Sequence, residues 1–133
     1  MSRSGYTDGI DQWDLIRWRG AVESAIRGKR GQAFLREMLT ALDALPEPKL
    51  IAEDLIRRGQ VCAIGSVGRH RRIGMSHLNP TDSETIATLF GIAEALVKEI
   101  AYVNDEECYR IESSAERFTR VRQWVVRNLK GEQ

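Results

Sequence analysis

The chain has 133 residues, of which 42% are hydrophobic, and this length is typical of one domain with one core. Its 20 Lys and Arg residues nearly balance 19 Asp and Glu residues, so no strong overall field draws the molecule to nucleic acid or to an anionic membrane. No stretch approaches the roughly 20 consecutive apolar residues that cross a bilayer, and the N-terminus lacks the apolar run of a signal peptide. We therefore expect a single domain over residues 1–133 of a soluble, cytoplasmic protein, with a flexible tail over residues 1–8.

Two helices are predicted in the first part of the chain, because apolar residues recur three or four positions apart. The first helix is expected over about residues 9–27 and carries four such residues: Leu15, Trp18, Val22 and Ile26. The second carries Phe34, Leu35, Met38, Leu42 and Leu45. It should end before Pro46, since proline disfavours helical geometry in the residue before it. Two glycines within residues 27–31 predict a turn between the helices, which we expect to form an antiparallel hairpin.

The segment over residues 49–68 is the least periodic part of the chain and allows two interpretations. Short apolar runs over residues 50–52 and 61–64 flank a polar segment that contains Gly59, and this pattern favours a small two-stranded hairpin. A short helix over residues 51–58 is the alternative, because further apolar residues follow the first ones at helical spacing.

A long amphipathic helix over about residues 83–103 is the clearest prediction of the sequence. Thr81 and Glu84 have the spacing of a capping box at its start, and Ser113 and Glu116 have the same spacing before the last helix. The fold class is therefore predicted to be mainly α: a compact helical domain of four main helices, with a short two-stranded β-hairpin if the first interpretation of the preceding segment holds.

Two basic clusters in glycine-flanked loops are candidate sites for phosphate or for a macromolecular partner. The first comprises Arg27, Lys29 and Arg30, and the second comprises Arg69, His70, Arg71 and Arg72. Lys and Arg side chains neutralise phosphates, and neighbouring glycines let backbone N–H groups approach the same ligand. Solvated loops without a ligand are the alternative, since phosphate-binding proteins usually have a strong positive excess, which this chain lacks.

Trp13 and Trp18 lie five positions apart on the first predicted helix, so their side chains cannot point the same way. Core packing is the default role of a tryptophan with apolar neighbours, and an interface or base stacking is the alternative. One of the two is therefore a candidate surface anchor, and Trp18 is included among the candidate partner-binding residues.

The acidic run over residues 104–107 follows the long predicted helix, where the helix dipole disfavours negative charge. We expect this run, in which Asn104 and Asp105 are the candidate structural polar residues, to form a salt bridge or cap with the loop over residues 69–72. The run could instead supply general acids, bases or metal ligands. No metal and no cofactor are expected, because the cysteines and histidines lack the paired spacing of metal ligands. These residues are Cys62, His70, His77 and Cys108.

Parts of the sequence resemble two groups of uncharacterised proteins. The run over residues 60–67, the long helix, the Asn104-Asp105 pair and the capped last helix resemble bacterial domains with a Val-Cys-Ala-Leu-Gly-Ala run and an Asn-Asp pair. The opening Trp-x-x-Ile-Arg-Trp-Arg-Gly-Ala-Val, with residues 25–31, is similar to small hypothetical proteins of phages and prophages. This second likeness covers most of the chain and implies a phage-borne accessory protein in the bacterial host cytoplasm. Such proteins often bind a host or phage macromolecule, and some counter host defence.

Three functions are compatible with these observations. The leading hypothesis is a non-enzymatic interaction protein of phage origin that binds a host or phage macromolecule, in the first place a protein, as an anti-defence or host-modulating factor. A nucleic-acid-binding accessory protein, with the basic clusters on phosphates, is the first alternative. A small enzyme or nucleotide binder, with a site between residues 65–72 and 104–107, is the second. No membrane partner is expected, and an apolar patch left on the helical hairpin would support a homodimer.

Overall fold

A computed structural model describes residues 2–6, 12–107 and 111–131. These residues form six helices: α1 (Gln12–Arg27), α2 (Lys29–Asp43), α3 (Ala63–His70), α4 (Ser83–Phe90), α5 (Glu94–Asp105) and α6 (Ser114–Asn128). They also form one antiparallel sheet of two short strands, β1 (Ile56–Arg57) and β2 (Gln60–Val61). The predicted mainly helical class is confirmed, whereas the predicted number of four main helices is wrong.

The first two helices are separated by one residue, Gly28, and not by the predicted turn over residues 27–31. Gly31 lies inside α2, where a Cβ atom would come within 1.8 Å of the Ala25 carbonyl oxygen. This glycine therefore allows a close approach of α2 to the end of α1, and does not interrupt the helix. The predicted first helix agrees with α1 from Gln12 onward, and residues 9–11 lie outside the described residues.

The segment over residues 49–68 contains the predicted hairpin, although its first strand lies later in the chain than expected. Ile56 pairs with Val61 and Arg57 with Gln60. The intervening turn places Arg58 and Gly59 at φ values of 53° and 78°, and two positive values suit the twist of a tight hairpin. The short-helix alternative over residues 51–58 is wrong, and the apolar run over residues 61–64 passes from β2 into α3.

The long helix predicted over residues 83–103 is two helices, α4 and α5. Gly91 ends α4 with a left-handed φ of 75°. Glycine adopts this conformation without the steric strain that a Cβ atom would cause, so the helix stops here. The apolar spacing continues across this break because both helices face the same core. The predicted cap is also displaced, since Asp82 accepts the hydrogen bond from the Thr85 N–H.

The last helix begins as predicted. The Ser113 hydroxyl accepts from the Glu116 N–H at 3.1 Å, and the Glu116 carboxylate accepts from the Ser113 N–H at 2.8 Å. This reciprocal capping box satisfies two backbone donors that would otherwise lack partners at the helix start.

The buried apolar side chains form one cluster that is drawn mainly from α2 to α6 and the hairpin. Helix α1 lies at the edge of this core: Val22 is its buried residue, and Ala25 and Ile26 pack on the cluster only in part. The first half of α1, residues 12–17, is exposed throughout. None of the described helices combines the length and the apolar character that crossing a bilayer requires.

Candidate functional site

Arg71, a candidate phosphate ligand in the sequence, is held by protein groups. Its guanidinium donates two hydrogen bonds to the Glu37 carboxylate, at 2.8 and 2.6 Å, and a third to the Phe90 carbonyl at 3.2 Å. It also lies 5.8 and 5.6 Å from the ring centres of Phe34 and Phe90, within cation–π distance. These contacts join α2, α3 and α4, so Arg71 has a structural role.

The ion pair between Arg71 and Glu37 shifts the pKa of both groups. The hydrogen bond from Arg71 lowers the pKa of Glu37, and the hydrogen bond to Glu37 raises the pKa of Arg71. Both shifts favour the charged forms, as a bidentate guanidinium–carboxylate pair requires.

The remaining residues of the second basic cluster do not converge on one site. The Arg69 guanidinium donates to the Gly59 carbonyl oxygen of the hairpin turn, whereas His70 and Arg72 are exposed. Arg72 takes a left-handed φ of 61° directly after α3, where helices commonly end on a glycine. The basic loop after α3 is therefore mostly a helix end that is tied to neighbouring elements.

Asp105 is paired with Arg3, and not with the loop over residues 69–72 as the sequence had suggested. Arg3 donates two hydrogen bonds to the Asp105 carboxylate, at 2.6 and 2.9 Å. The side chains of this ion pair are only 3% and 4% exposed. The pair bridges 102 positions of the sequence, so no local pattern could have indicated it.

Residues 2–6, which belong to the predicted flexible tail, pack against the end of α5. Ser4 is buried and donates to the Glu106 carboxylate at 2.7 Å, and Tyr6 donates to Glu99 at 2.9 Å. Burial and the nearby Glu99 carboxylate raise the pKa of Tyr6. Residues 1, 7 and 8 of the predicted tail lie outside the described residues.

Arg3 donates hydrogen bonds from all three nitrogens of its guanidinium. Besides Asp105 it donates to the Asp54 carbonyl at 3.2 Å and to the Cys62 sulfur at 3.4 Å. Burial alone would lower the pKa of Arg3, but Cys62 and Asp105 together outweigh it and raise the pKa above the ordinary value. Arg3 therefore remains a buried cation that is fully paired.

Asn104 is completely buried and connects three segments by its amide. Its oxygen accepts from the Ala63 N–H at the start of α3, at 3.0 Å. Its nitrogen donates to the Ile51 carbonyl at 2.9 Å and to Asp105 at 2.8 Å. The predicted structural role of Asn104 and Asp105 is consistent with these bonds, although the partners differ from those expected. The enzymatic or nucleotide site predicted between residues 65–72 and 104–107 stays a prediction, although Arg69, Arg71 and Asn104 in these segments are already hydrogen-bonded to protein groups.

The first basic cluster, in contrast, lies on an open groove with a volume of about 630 Å³. The described residues that line this groove are Arg27, Lys29, Gln32, Ala33, Arg36, Lys130 and Gly131. They include four cationic side chains and no carboxylate. Arg27 also lies 3.6 Å from Glu23, in an exposed pair on α1 that contributes little to stability. Arg30, the third residue of the predicted cluster, is exposed but is not among these lining residues.

Gln32 holds the two sides of this groove together and is only 4% exposed. Its amide nitrogen donates to the carbonyls of Ile26 and Asn128, at 2.8 and 3.0 Å. Its oxygen accepts from the backbone N–H of Lys130 at 2.9 Å. The amide thus fixes the chain after α6 against the junction of α1 and α2, and Lys130 is brought to the groove.

The start of α2 adds to the positive potential of the groove. No side chain caps its N-terminus at Gly28, and no acidic residue stands in its first turn. No side chain of the cap or first turn therefore compensates the positive end of the helix dipole, which favours an anion beside Lys29.

Three polar side chains of the groove were not predicted from the sequence: Gln32, Arg36 and Lys130. Arg36 lies seven positions after Lys29, so helical spacing alone would have placed the two on one face of α2. Lys130 and Gln32 had no such signal, because their approach depends on the packing of α6 against α2.

The tryptophans divide as predicted, but the exposed one is Trp13. Trp13 is 71% exposed at the start of α1. Trp18 is half-buried, and its ring N–H donates to the Tyr6 hydroxyl at 2.9 Å. Trp18 therefore belongs to the contact with the N-terminal segment, and its role in partner binding stays a prediction.

Among the residues that the structure describes, no three His, Cys, Asp or Glu side chains are grouped to hold a metal ion. Cys62 is a buried free thiol, and Cys108 lies outside the described residues.

Comparison of this chain with protein families, with curated proteins and with solved structures found no match in any of the three. The resemblance to phage proteins therefore stays a prediction, and the argument for function rests on the groove.

Proposed function

We propose that this protein is a non-enzymatic binding protein that holds the phosphate backbone of a nucleic acid in the basic groove between α1, α2 and the chain after α6. The observation that carries the proposal is the set of four cations around one groove, without a carboxylate among the described lining residues. Phosphate oxygens are the anions that several separate Lys and Arg side chains can share along a polymer.

Three cations of the groove differ from Arg3 and Arg71 in their freedom to bind a ligand. Lys29, Arg36 and Lys130 form no ion pair with any described carboxylate, whereas Arg3 and Arg71 are paired at distances of 2.6 Å. A cation without a protein partner can neutralise a phosphate and release the counterions condensed on the nucleic acid, and that release supplies most of the affinity in non-specific binding.

The composition of the groove indicates backbone binding without base recognition. None of its described lining residues is aromatic, so bases cannot stack there as they do on platforms for single strands. With an overall charge of only +1, we expect a dissociation constant of about 1–100 µM at physiological salt, the range of non-specific binding.

Fluorescence anisotropy with a labelled DNA duplex, and with an RNA of equal length, tests the proposal. If four phosphates are neutralised, the logarithm of the binding constant should fall by roughly 3–4 for each tenfold increase in salt. The variant with Lys29→Glu, Arg36→Glu and Lys130→Glu should bind at least about 100-fold more weakly and lose about three units of that slope.

A matched variant distinguishes the groove from the general charge of the molecule. Arg57→Glu, Arg58→Glu and Arg72→Glu together make the same change in net charge at exposed residues outside the groove lining, and should retain binding within about threefold because distant charges are screened. Equal loss in both variants, or no binding at low salt, would contradict the proposal. Full displacement by millimolar inorganic phosphate would also contradict it, because the groove would then be a small-anion site.

The predictions of a phage origin and of an anti-defence or host-modulating role are compatible with this proposal and stay predictions. A nucleic acid is one of the macromolecules that such a factor could bind. The groove has no feature that favours a protein partner over phosphate.

A further inference from the structure

Helix α1 carries a continuous exposed stripe along the side that faces away from the core. Residues at spacings of three and four, all exposed, form it: Trp13, Ile16, Arg17, Gly20, Glu23, Ser24 and Arg27. Trp13 and Ile16 are 71% and 52% exposed, and they place a large apolar surface at one end. Arg17 and Glu23 place opposite charges on either side of the centre.

Gly20, at the middle of this stripe, is not explained by the packing of the described residues. A Cβ atom added at Gly20 would meet none of their atoms within 4 Å, so no described element requires the missing side chain. Glycine in an exposed helix interior costs about 1 kcal/mol relative to alanine. A close approach of another backbone at this point would explain why the position carries no side chain.

We infer that this face of α1 binds the same face of a second copy, with the two α1 helices antiparallel and crossing at Gly20. In a contact with two-fold symmetry, a residue of one copy faces the residue at the mirrored position in the other. A crossing at Gly20 then brings Arg17 of each copy to Glu23 of the other. The antiparallel orientation thus places opposite charges together, whereas a parallel orientation would place Arg17 beside Arg17 and Glu23 beside Glu23.

The same register places the large apolar side chains on small or flexible ones. Trp13 and Ile16 of one copy pack over the turn from Ser24 to Arg27 of the other, where the small Ser24 leaves room. The internal pairs of α1, between Arg17 and Asp14 and between Arg27 and Glu23, are exposed. Because exposed pairs contribute little, they can be shared with the second copy at small cost.

One helix face from each copy is a small interface compared with the about 1,200–2,000 Å² of stable complexes. We therefore expect a weak dimer whose population depends on concentration, with a dissociation constant on the order of 100 µM. The dimer does not depend on nucleic-acid binding in the basic groove, because it is measured by the molecular mass of the protein alone in solution.

Sedimentation velocity of the full chain, from about 10 µM to about 1 mM, tests the inference. The wild-type protein should shift from monomer toward dimer over this range. Trp13→Ala should weaken dimerisation at least about tenfold. Gly20→Ala should weaken it at least about fivefold while raising thermal stability, because alanine favours the helix but obstructs the crossing.

A charge exchange tests the antiparallel register directly. Arg17→Glu and Glu23→Arg should each weaken dimerisation, because each brings like charges together between the two copies. The double variant Arg17→Glu with Glu23→Arg restores both pairs and should recover the wild-type association within about twofold. Circular dichroism of each variant checks that the fold is kept.

A protein that stays monomeric over the whole concentration range would overturn the inference and leave the stripe for a different partner. Dimerisation that is insensitive to Trp13→Ala and Gly20→Ala would place the interface elsewhere. A double variant that is as weak as the single variants would exclude the antiparallel register.

Discussion

Arg3 and Asp105 form a polar cluster at the end of α5, which we call the junction, and the groove beside α2 is a second polar cluster. The two differ in whether protein groups pair with their charges. At the junction, Arg3 and Asp105 are nearly inaccessible and fully bonded. At the groove, Lys29 and Arg36 are exposed and have no described carboxylate partner. Since a buried charge costs several kcal/mol unless it is paired, the junction must be complete in the folded protein. The cations of the groove can remain without carboxylate partners because water solvates them, and this leaves them available to a ligand.

The largest expected effect is the loss of the buried cation at the junction. Arg3→Met leaves Asp105 without its charge partner, and we expect a loss of about 3–5 kcal/mol in the free energy of unfolding. Urea denaturation measures it. The double variant Arg3→Met with Asp105→Asn removes the uncompensated charge and keeps an acceptor for the Glu53 N–H, so it should recover most of the loss. A loss below about 1 kcal/mol for Arg3→Met would contradict the buried ion pair between Arg3 and Asp105.

A smaller effect is expected at the ion pair between Arg71 and Glu37, which is intermediate between the two regions in exposure. Because the pKa of Glu37 is lowered on folding, its contribution is complete above the ordinary value of 4.5 and is lost as the pH falls through the lower folded-state value. Wild-type stability should therefore decrease between about pH 5 and about pH 3. Glu37→Gln should be less stable at neutral pH, by under about 1 kcal/mol, and should show a weaker acid dependence. An unchanged acid dependence in this variant would contradict the assignment.

The smallest effect on stability is expected at the groove. The triple variant Lys29→Glu, Arg36→Glu and Lys130→Glu should change the free energy of unfolding by less than about 0.5 kcal/mol, since exposed, unpaired charges contribute little to folding. The thermal unfolding of this variant, measured beside its nucleic-acid binding, tests the contrast with the junction. A loss of several kcal/mol would mean that the groove is a structural cluster, as the junction is.

Local chemistry explains why parts of the fold could be predicted. The capping box of Ser113 and Glu116 needs only residues three positions apart, and it was read correctly from the sequence. The break at Gly91 was missed because apolar periodicity reports which face is buried and not whether the backbone continues straight. The cap at Asp82 was missed for a related reason: Thr81 and Asp82 are both good capping residues, and only the backbone geometry selects between them.

The candidate site was predicted only in part. The cluster of Arg27 and Lys29 was recognised because its residues are neighbours in the sequence. The second cluster looked similar, yet Arg71 is held by Glu37 and Arg69 by Gly59. A pattern of charges shows where cations are, but only their surroundings show which of them already have partners.

The sequence by itself determined the helical class, the positions of most helices and the cap of the last one, since these depend on interactions within a few residues. The tertiary structure alone decided the surroundings of the charged groups: Arg3 pairs with Asp105, Arg71 pairs with Glu37, and Lys130 lies in the same groove as Lys29. The physical reason is that a charge can pair with any opposite charge that packing brings within reach. Packing of the whole chain, and not the order of its residues, thus separates the structural charges from those that can bind a ligand.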